Sequence, residues 1–290
     1  MATTSELLKK VRQIEIKTRG LSKNIFAGQY HSAFKGRGMA FSEVREYQYG
    51  DDIRDIDWNV TAHYNKPYVK TFEEERELTV MLLIDVSDSR NFGSIKMQKQ
   101  EMMTEIAATL AFSAILNNDK IGVIFFSDTV EKFIPPQKGR KHILYIIREL
   151  IDFEPKNHST NISKALKYLT NAIKKHCTAF VISDFIDNEG YKDALRIANR
   201  KHDVVAIQVY DERDTALPSV GLIKMKDAET GKEQWIDSSS AKERNRFSDN
   251  WLSLKSTMND ACLRSKVDSV SIKTNEDYVK ALIGLFDKRG

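Results

Sequence analysis

A chain of 290 residues is long enough for one large α/β domain or two small ones, and long enough to bury a sizeable core. Its 45 basic and 41 acidic residues leave a formal charge of +4 and are mixed along the chain, which argues against the concentrated basic stripe of a nucleic-acid binder. Cys177 and Cys262 stand far apart without a CxxC or a Cys/His cluster, so neither a disulfide framework nor a zinc site is indicated and a reducing compartment is the natural setting.

The N-terminal stretch is too charged for a signal peptide, and no apolar run approaches the roughly 18 residues of a membrane span. The expected location is therefore cytoplasmic. Thr3 and Glu6 fit a capping box and open a helix with Leu7, Leu8, Val11 and Ile14 on one stripe. Packing on the main domain is the simplest role for that stripe; a membrane-surface or partner-binding helix is the alternative, so peripheral membrane association stays open. From Gly20 to Trp58 glycines, aromatics and charges mix without a sustained period, as in an irregular docking segment. We divide the chain accordingly into an N-terminal helix and docking segment over residues 1–76 and an α/β domain over 77–290.

After Pro67, "YVKTFEEERE" has the composition of an edge strand, and "LTVMLLID" is a continuous apolar run of the kind buried on both faces of a sheet. A helix is expected from about Ile95 to Asn117, followed by the buried strand "KIGVIFFS". "TVEKFIPP" should return antiparallel as an edge strand, because Pro135 and Pro136 cannot donate to a ladder. Two helices follow, the first with Ile143, Ile146, Ile147 and Leu150 on one face; then the strand "CTAFVISD", a helix "YKDALRIANRKH" and the strand "DVVAIQVY". That rhythm predicts a mainly parallel, doubly wound sheet with helices on both faces. The remaining pieces are a β-hairpin near 219–238, a polar helix around Lys242 to Arg264, a strand "VDSVSIKT" and a closing helix.

Ligands of an open parallel sheet bind at the carboxyl ends of its strands, near the point where strand order reverses. Three loops at that edge carry suitable groups: Asp85, Ser87 and Ser89 after the first core strand, Thr160 before the helix at Ile162, and Asp184 after "FVIS". Two carboxylates and three hydroxyls suit a small hard cation that prefers oxygen ligands, Mg2+ first and Mn2+ close behind. D-x-S-x-S alone would arise by chance in roughly one chain in fifteen of this length. The weight therefore lies on the matching Thr and Asp in the later loops. Helix capping, or a site of this shape that holds no ion, is the plainer reading.

In type and order, Asp85-x-Ser87-x-Ser89, Thr160 and Asp184 are similar to the metal-ion-dependent adhesion site of von Willebrand factor A domains. The resemblance implies binding rather than catalysis, the ion's open position being filled by an acidic side chain of a protein partner. Two places depart from the pattern: His158-Ser159 replaces the usual Gly-Gly before the Thr, and Ser183-Asp184-Phe185 replaces the usual Thr-Asp-Gly.

A second resemblance rests on "GRGMAFSEVREYQYGDDIRDIDW" and the residues that follow it, with Gly36, Gly38, Arg45, Tyr47, Gly50, Asp51, Asp52, Arg54, Asp57 and Trp58 carrying the match. The stretch resembles the signature of a bacterial and archaeal family of unknown function, A-domain-like proteins encoded beside MoxR-type AAA+ ATPases. Such membership implies an adaptor of the ATPase acting on an unknown client protein in assembly, maturation or stress tolerance. Physically, the segment reads either as an internal network of charge-assisted hydrogen bonds, with Arg45 and Arg54 as natural partners of Asp52 and Asp57, or as a recognition surface for the ATPase. Enzyme readings fare worse. An aspartyl-phosphate phosphatase using Asp85 needs a second acid where Ser87 stands, no P-loop sequence occurs, and the six histidines form no H-E-x-x-H. We therefore read the chain as non-catalytic, with a metal-dependent phosphohydrolase as the alternative.

Overall fold

The structure, a computed structural model, describes residues 12–15, 18, 40–64, 66–73, 78–91, 98–157, 159–187, 189–226 and 233–289. The helix expected from Thr3 falls largely outside these residues, although 12–15 and 18 are helical. The chain forms two compact units: Met1–Phe34 together with Thr79–Gly290, and Lys35–Leu78.

The larger unit is built on a six-stranded sheet. Its strands are β3 (Thr79–Asp85), β4 (Lys120–Phe126), β5 (Val130–Gln137), β6 (Thr178–Ser183), β7 (Asp203–Tyr210) and β10 (Asp268–Lys273), in the spatial order β10-β7-β6-β3-β4-β5. All pairings are parallel except that of β5, which returns antiparallel along β4 with Pro135 and Pro136 on the outer edge, as their missing donors require. From β3 the chain moves outward through β4 and β5, then comes back to the other flank of β3 with β6, β7 and β10. The order therefore reverses between β3 and β6. Close approach at the β4–β5 pair depends on Gly122: a Cβ there would stand 2.8 Å from the Ile134 carbonyl oxygen, the Met81 sulfur and the Pro136 nitrogen.

Both faces of the sheet are covered. On one lie α4 (Ile162–Ala172), α5 (Lys192–Lys201) and α7 (Ala241–Ser265), whose Leu166, Leu169, Leu195, Ala198 and Met258 pack with Met81, Leu83, Val181 and Ala206. On the other lie α2 (Lys99–Leu116), α3 (Arg140–Asp152) and α8 (Tyr278–Asp287); Phe286 of α8 meets Phe180 of β6 edge to face. The Ile143, Ile146, Ile147 and Leu150 stripe of α3 is buried as its spacing requires. Helix α2 differs, being buried on nearly all sides from Met102 to Ala114, so its sequence carries almost no amphipathic signal. A four-residue helix α6 (Glu212–Thr215) follows β7, and β8 (Leu222–Lys226) pairs with β9 (Glu233–Asp237) in the expected hairpin.

The smaller unit corrects the reading of residues 20–58 as irregular throughout. Ala40–Glu46 is a strand, β1, antiparallel to β2 (Tyr68–Glu73), so "YVKTFE" belongs to a two-stranded ribbon and not to the edge of the main sheet. Between them come a 3-10 turn over Ile53–Asp55 and the helix α1 (Trp58–Tyr64).

The signature charges pair only in part as expected: Arg54 meets Asp52, whereas Arg45 and Asp57 find other partners. Arg45 grips Asp51 through both terminal nitrogens, at 2.9 and 2.7 Å, which with the Gln48 amide holds the Asp51 carboxyl below its usual range. Asp52 caps the 3-10 turn and meets Arg54, its near neighbour. Asp57 caps α1 through the Asn59 and Val60 amides, with Lys70 of β2 3.4 Å away. The partners are local because capping geometry favours a carboxylate two or three residues before the amides it accepts. Trp58, at the start of α1, stands 67% exposed.

Candidate metal centre

The five expected ligands lie at the carboxyl edge of β3 and β6, where the strand order reverses. Asp85 is the last residue of β3 and is buried; Ser87 follows just before the 3-10 segment Asp88–Asn91, and Ser89 lies within it. Thr160 sits in the loop before α4, held by the Asn161 amide, which donates to the Ser127 carbonyl at the end of β4. Asp184 follows directly on β6. That loop reaches back to α4: Asp187 accepts the Ile162 amide at 2.8 Å, and the helix is capped from within by Asn161.

Four of the five form one cluster of oxygens. The Ser87 and Ser89 hydroxyls are 3.0 Å apart, the Thr160 hydroxyl donates to the Ser87 oxygen at 3.0 Å, and the same hydroxyl approaches Asp85 Oδ2 at 3.3 Å. Neighbouring vertices of an octahedron with bonds of ~2.1 Å are separated by about 3.0 Å, so this spacing fits the oxygen shell of Mg2+ or Mn2+. Charge fits as well. The hydrogen bonds that reach Asp85 come from neutral donors, the Ser87 amide at 3.0 Å and the Thr160 and Ser183 hydroxyls, the last at 2.6 Å. Burial, reinforced by the nearby Asp184 charge, pushes the Asp85 carboxyl up to about 6.

Asp184 is engaged differently. Its Oδ2 lies 3.0 Å from Nζ of Lys99, the first residue of α2, and Lys99 in turn lies 3.1 Å from Oδ2 of Asp214 in α6. Burial opposes the Lys99 charge, yet Asp184 and Asp214 outweigh it and hold the ammonium above the ordinary lysine range. Asp214 also closes a capping box with Asp211, whose other carboxylate oxygen accepts the Thr274 hydroxyl after β10. The ends of β3, β6, β7 and β10 thus share one buried polar layer.

Sequence reasoning missed Lys99 and Asp214, and placed Ser183 in the motif without its contact to Asp85. Lys99 lies in the polar stretch "KMQKQEM", which reads as a solvated helix start. Among the described residues, no group of three or more His, Cys, Asp or Glu side chains has metal-binding spacing. His158 lies outside the described residues.

Phe185, which replaces the expected glycine, takes the left-handed conformation a glycine would adopt, with φ +59°. It is held there by burial, by its edge-to-face contact with Tyr191 and by its amide's hydrogen bond to the Ser183 hydroxyl. The ligand loop therefore keeps its course despite the substitution.

The fold and its carboxyl-edge polar layer define a doubly wound α/β protein of the kind expected from the A-domain resemblance. By sequence, residues 43–255 match the family described as protein of unknown function DUF58, and the chain belongs to that family. Among its relatives is the uncharacterized protein Rv1480 of Mycobacterium tuberculosis, 29% identical over 228 residues, 78% of this chain and 72% of that protein. YeaD of Bacillus subtilis is 27% identical over 131 residues, 45% of this chain and 29% of YeaD.

Solved structures of similar fold include the conserved hypothetical protein BatB from Bacteroides thetaiotaomicron, with a TM-score of 0.51 and 16% identity, covering 73% of this chain and 98% of that one. An aerotolerance-related membrane protein from Bacteroides fragilis gives a TM-score of 0.52 and 15% identity, covering 73% and 99%. Among the described residues, no helix is long and apolar enough to cross a membrane.

Proposed function

We propose that the chain is a non-catalytic interaction module that holds Mg2+ or Mn2+ through Asp85, Ser87, Ser89 and Thr160 and presents it to an acidic side chain of a protein partner. The observation that carries this reading is the buried oxygen cluster at ~3.0 Å spacing beside a carboxylate met by neutral donors. When bound, the ion supplies an electrophilic position for a carboxylate oxygen. The chain's own residues do the rest: the Ser87 amide and Ser183 hydroxyl orient Asp85, the Asn161 and Ser127 backbone contact sets Thr160, and the covered sheet keeps the layer dry.

The reading is tested by calorimetric titration with MgCl2 or MnCl2 near neutral pH. Saturable uptake by the wild type that is lost in Asp85→Ala is the expected result, and no uptake by the wild type removes the reading.

The partner we propose is a MoxR-type AAA+ ATPase, with a client protein handed between them in assembly, maturation or stress tolerance. The signature resemblance supports the partner, and a role in stress tolerance accords with the aerotolerance-related membrane protein of similar fold. Capture of the ATPase should weaken with EDTA and in Asp184→Ala; capture unchanged by both counts against a contact made through the ion. We place the protein in the cytoplasm, and cell fractionation decides between that and a peripheral membrane position, which the membrane protein among the relatives keeps in view.

The phosphohydrolase alternative has less support. Both Asp85 oxygens are engaged by hydrogen-bond donors, and Ser87 rather than an acid follows two residues on. Turnover of a generic phosphate ester, abolished by Asp85→Asn, would revive it.

A further inference from the structure

Lys99 is 1% exposed and ranks among the largest fully buried side chains of the described residues. A lysine gains nothing from its place there: it is the first residue of α2, where the helix dipole is positive and repels an ammonium. Removing a charged lysine from water is also costly unless opposite charge receives it. Two carboxylates do, Asp184 at 3.0 Å and Asp214 at 3.1 Å. Of these, Asp184 belongs to the loop that lines the candidate centre, and Asp214 lies one strand further along the same edge.

Resting on the metal reading above, we propose that Lys99 is a tethered counter-cation that competes with the divalent ion for Asp184 and so sets how tightly the centre loads. The charge count gives the direction. Counted formally over the described residues, Asp85, Asp184, Asp211 and Asp214 give the layer four negative charges against the one positive charge of Lys99, so a divalent ion brings it to a single net negative charge. Without Lys99 the layer is one unit more negative, Asp184 is free to turn toward the ion, and loading tightens. The same change leaves the loaded layer one unit more negative and weakens its hold on an acidic partner. Lys99 thus trades affinity for the ion against affinity for the partner's carboxylate. It acts as a specificity-setting residue without being a ligand.

The test is titration of the full chain with MnCl2, for the wild type, Lys99→Met and Lys99→Met/Asp214→Asn, together with thermal melting with and without MnCl2. The double variant restores the net charge of the layer while leaving Asp184 without its ammonium, and guards against loss of folding in the single one. Mn2+ affinity at least tenfold tighter in either variant, with a larger Mn2+-dependent rise in melting temperature than the wild type shows, supports the proposal. Uptake by the variants and none by the wild type removes the metal reading of the native centre, and the proposal with it. Equal or weaker affinity in both variants overturns it and leaves the metal reading standing, because a merely structural lysine lowers the melting temperature to the same extent with and without the ion. No uptake by any of the three proteins removes the metal reading, and the proposal with it.

Discussion

The two edges of the same strands treat buried titratable groups in opposite ways. At the amino edge Cys177 stands just before β6 and His202 just before β7, with the Cys177 sulfur 3.3 Å from His202 Nδ1. Burial pushes the Cys177 thiol up to about 12, and burial with the Lys201 and His176 charges pushes His202 down to about 4, so both are neutral. His202 Nε2 meets no hydrogen-bond partner among the described residues. At the carboxyl edge, equally buried groups are met by donors: Lys99 reaches Asp184 and Asp214, and hydroxyls and amides reach Asp85. Burial is common to both edges; what differs is the supply of donors. In a parallel sheet the loops leading to helix N-termini, rich in free amides and hydroxyls, gather at the carboxyl edge. A Cys/His pair at the amino edge therefore packs as a neutral contact, while carboxylates at the other edge each find a hydrogen-bond or ion-pair partner.

The largest expected effect comes from removing the cation that keeps the carboxyl edge charged. Lys99→Met should cost about 3 to 5 kcal/mol of stability at neutral pH, the range for stripping one partner from a buried ion pair. Denaturant unfolding measures it. Adding Asp214→Asn should return a substantial part, since one of the two stranded charges is then gone. Additive losses in the double variant would mean that the two side chains do not act as a unit.

A slightly smaller effect is expected at the amino edge, and its sign follows from the depressed His202 value. The unfolded chain takes up this proton near pH 6.5, the folded chain only near 4. Stability therefore falls as the pH drops through that window, by up to about 3 kcal/mol, and levels off below it. His202→Gln should lack this component, so the wild type should lose more stability than the variant between pH 7 and 4.5; parallel curves would refute a neutral buried His202.

Asp85→Asn probes the carboxyl edge again, with about 2 kcal/mol at stake. In the ion-free protein it removes a buried carboxylate met by neutral donors, so unfolding at pH 7 should become harder. The same variant should take up no Mn2+. A loss of stability on this substitution would mean that the charge is better compensated than its hydrogen bonds indicate.

Much of this architecture could be read from the residues. Continuous apolar runs such as "LTVMLLID" mark strands covered on both faces, and the 3.6-residue stripe of α3 marks a helix covered on one. The candidate site residues could be drawn together because a resemblance tied three separate loops to one strand edge. Lys99 was not, since nothing local distinguishes a lysine aimed at two carboxylates, 85 and 115 positions further on, from one in solvent. Strand β1 escaped for a related reason. Its pairing with β2 is interrupted by a register shift between Phe41 and Glu43 and joins segments separated by a turn and a helix, so no short-range hairpin pattern announces it. Arg45 found Asp51 instead of Asp52 or Asp57 because a bidentate grip needs both carboxylate oxygens, and the other two acids are spent on capping.

The smallest expected effect bears on how the carboxyl edge keeps its shape without the glycine that the resemblance calls for. Phe185 sits at φ +59°, a conformation that costs a residue with a Cβ about 1 kcal/mol and glycine almost nothing. Its ring is buried against Tyr191, so truncation to alanine removes packing and keeps the strain, whereas truncation to glycine removes both. Both variants should be destabilised, and Phe185→Gly should be the more stable of the two by about 1 kcal/mol. At an ordinary helical or extended position the order is reversed, because glycine adds entropy to the unfolded chain. Alanine proving the more stable would mean that the loop after Asp184 does not hold this conformation in solution. The ring's packing would then contribute only ordinary core stability, and Asp184 would lose the support that fixes its carboxylate beside Lys99.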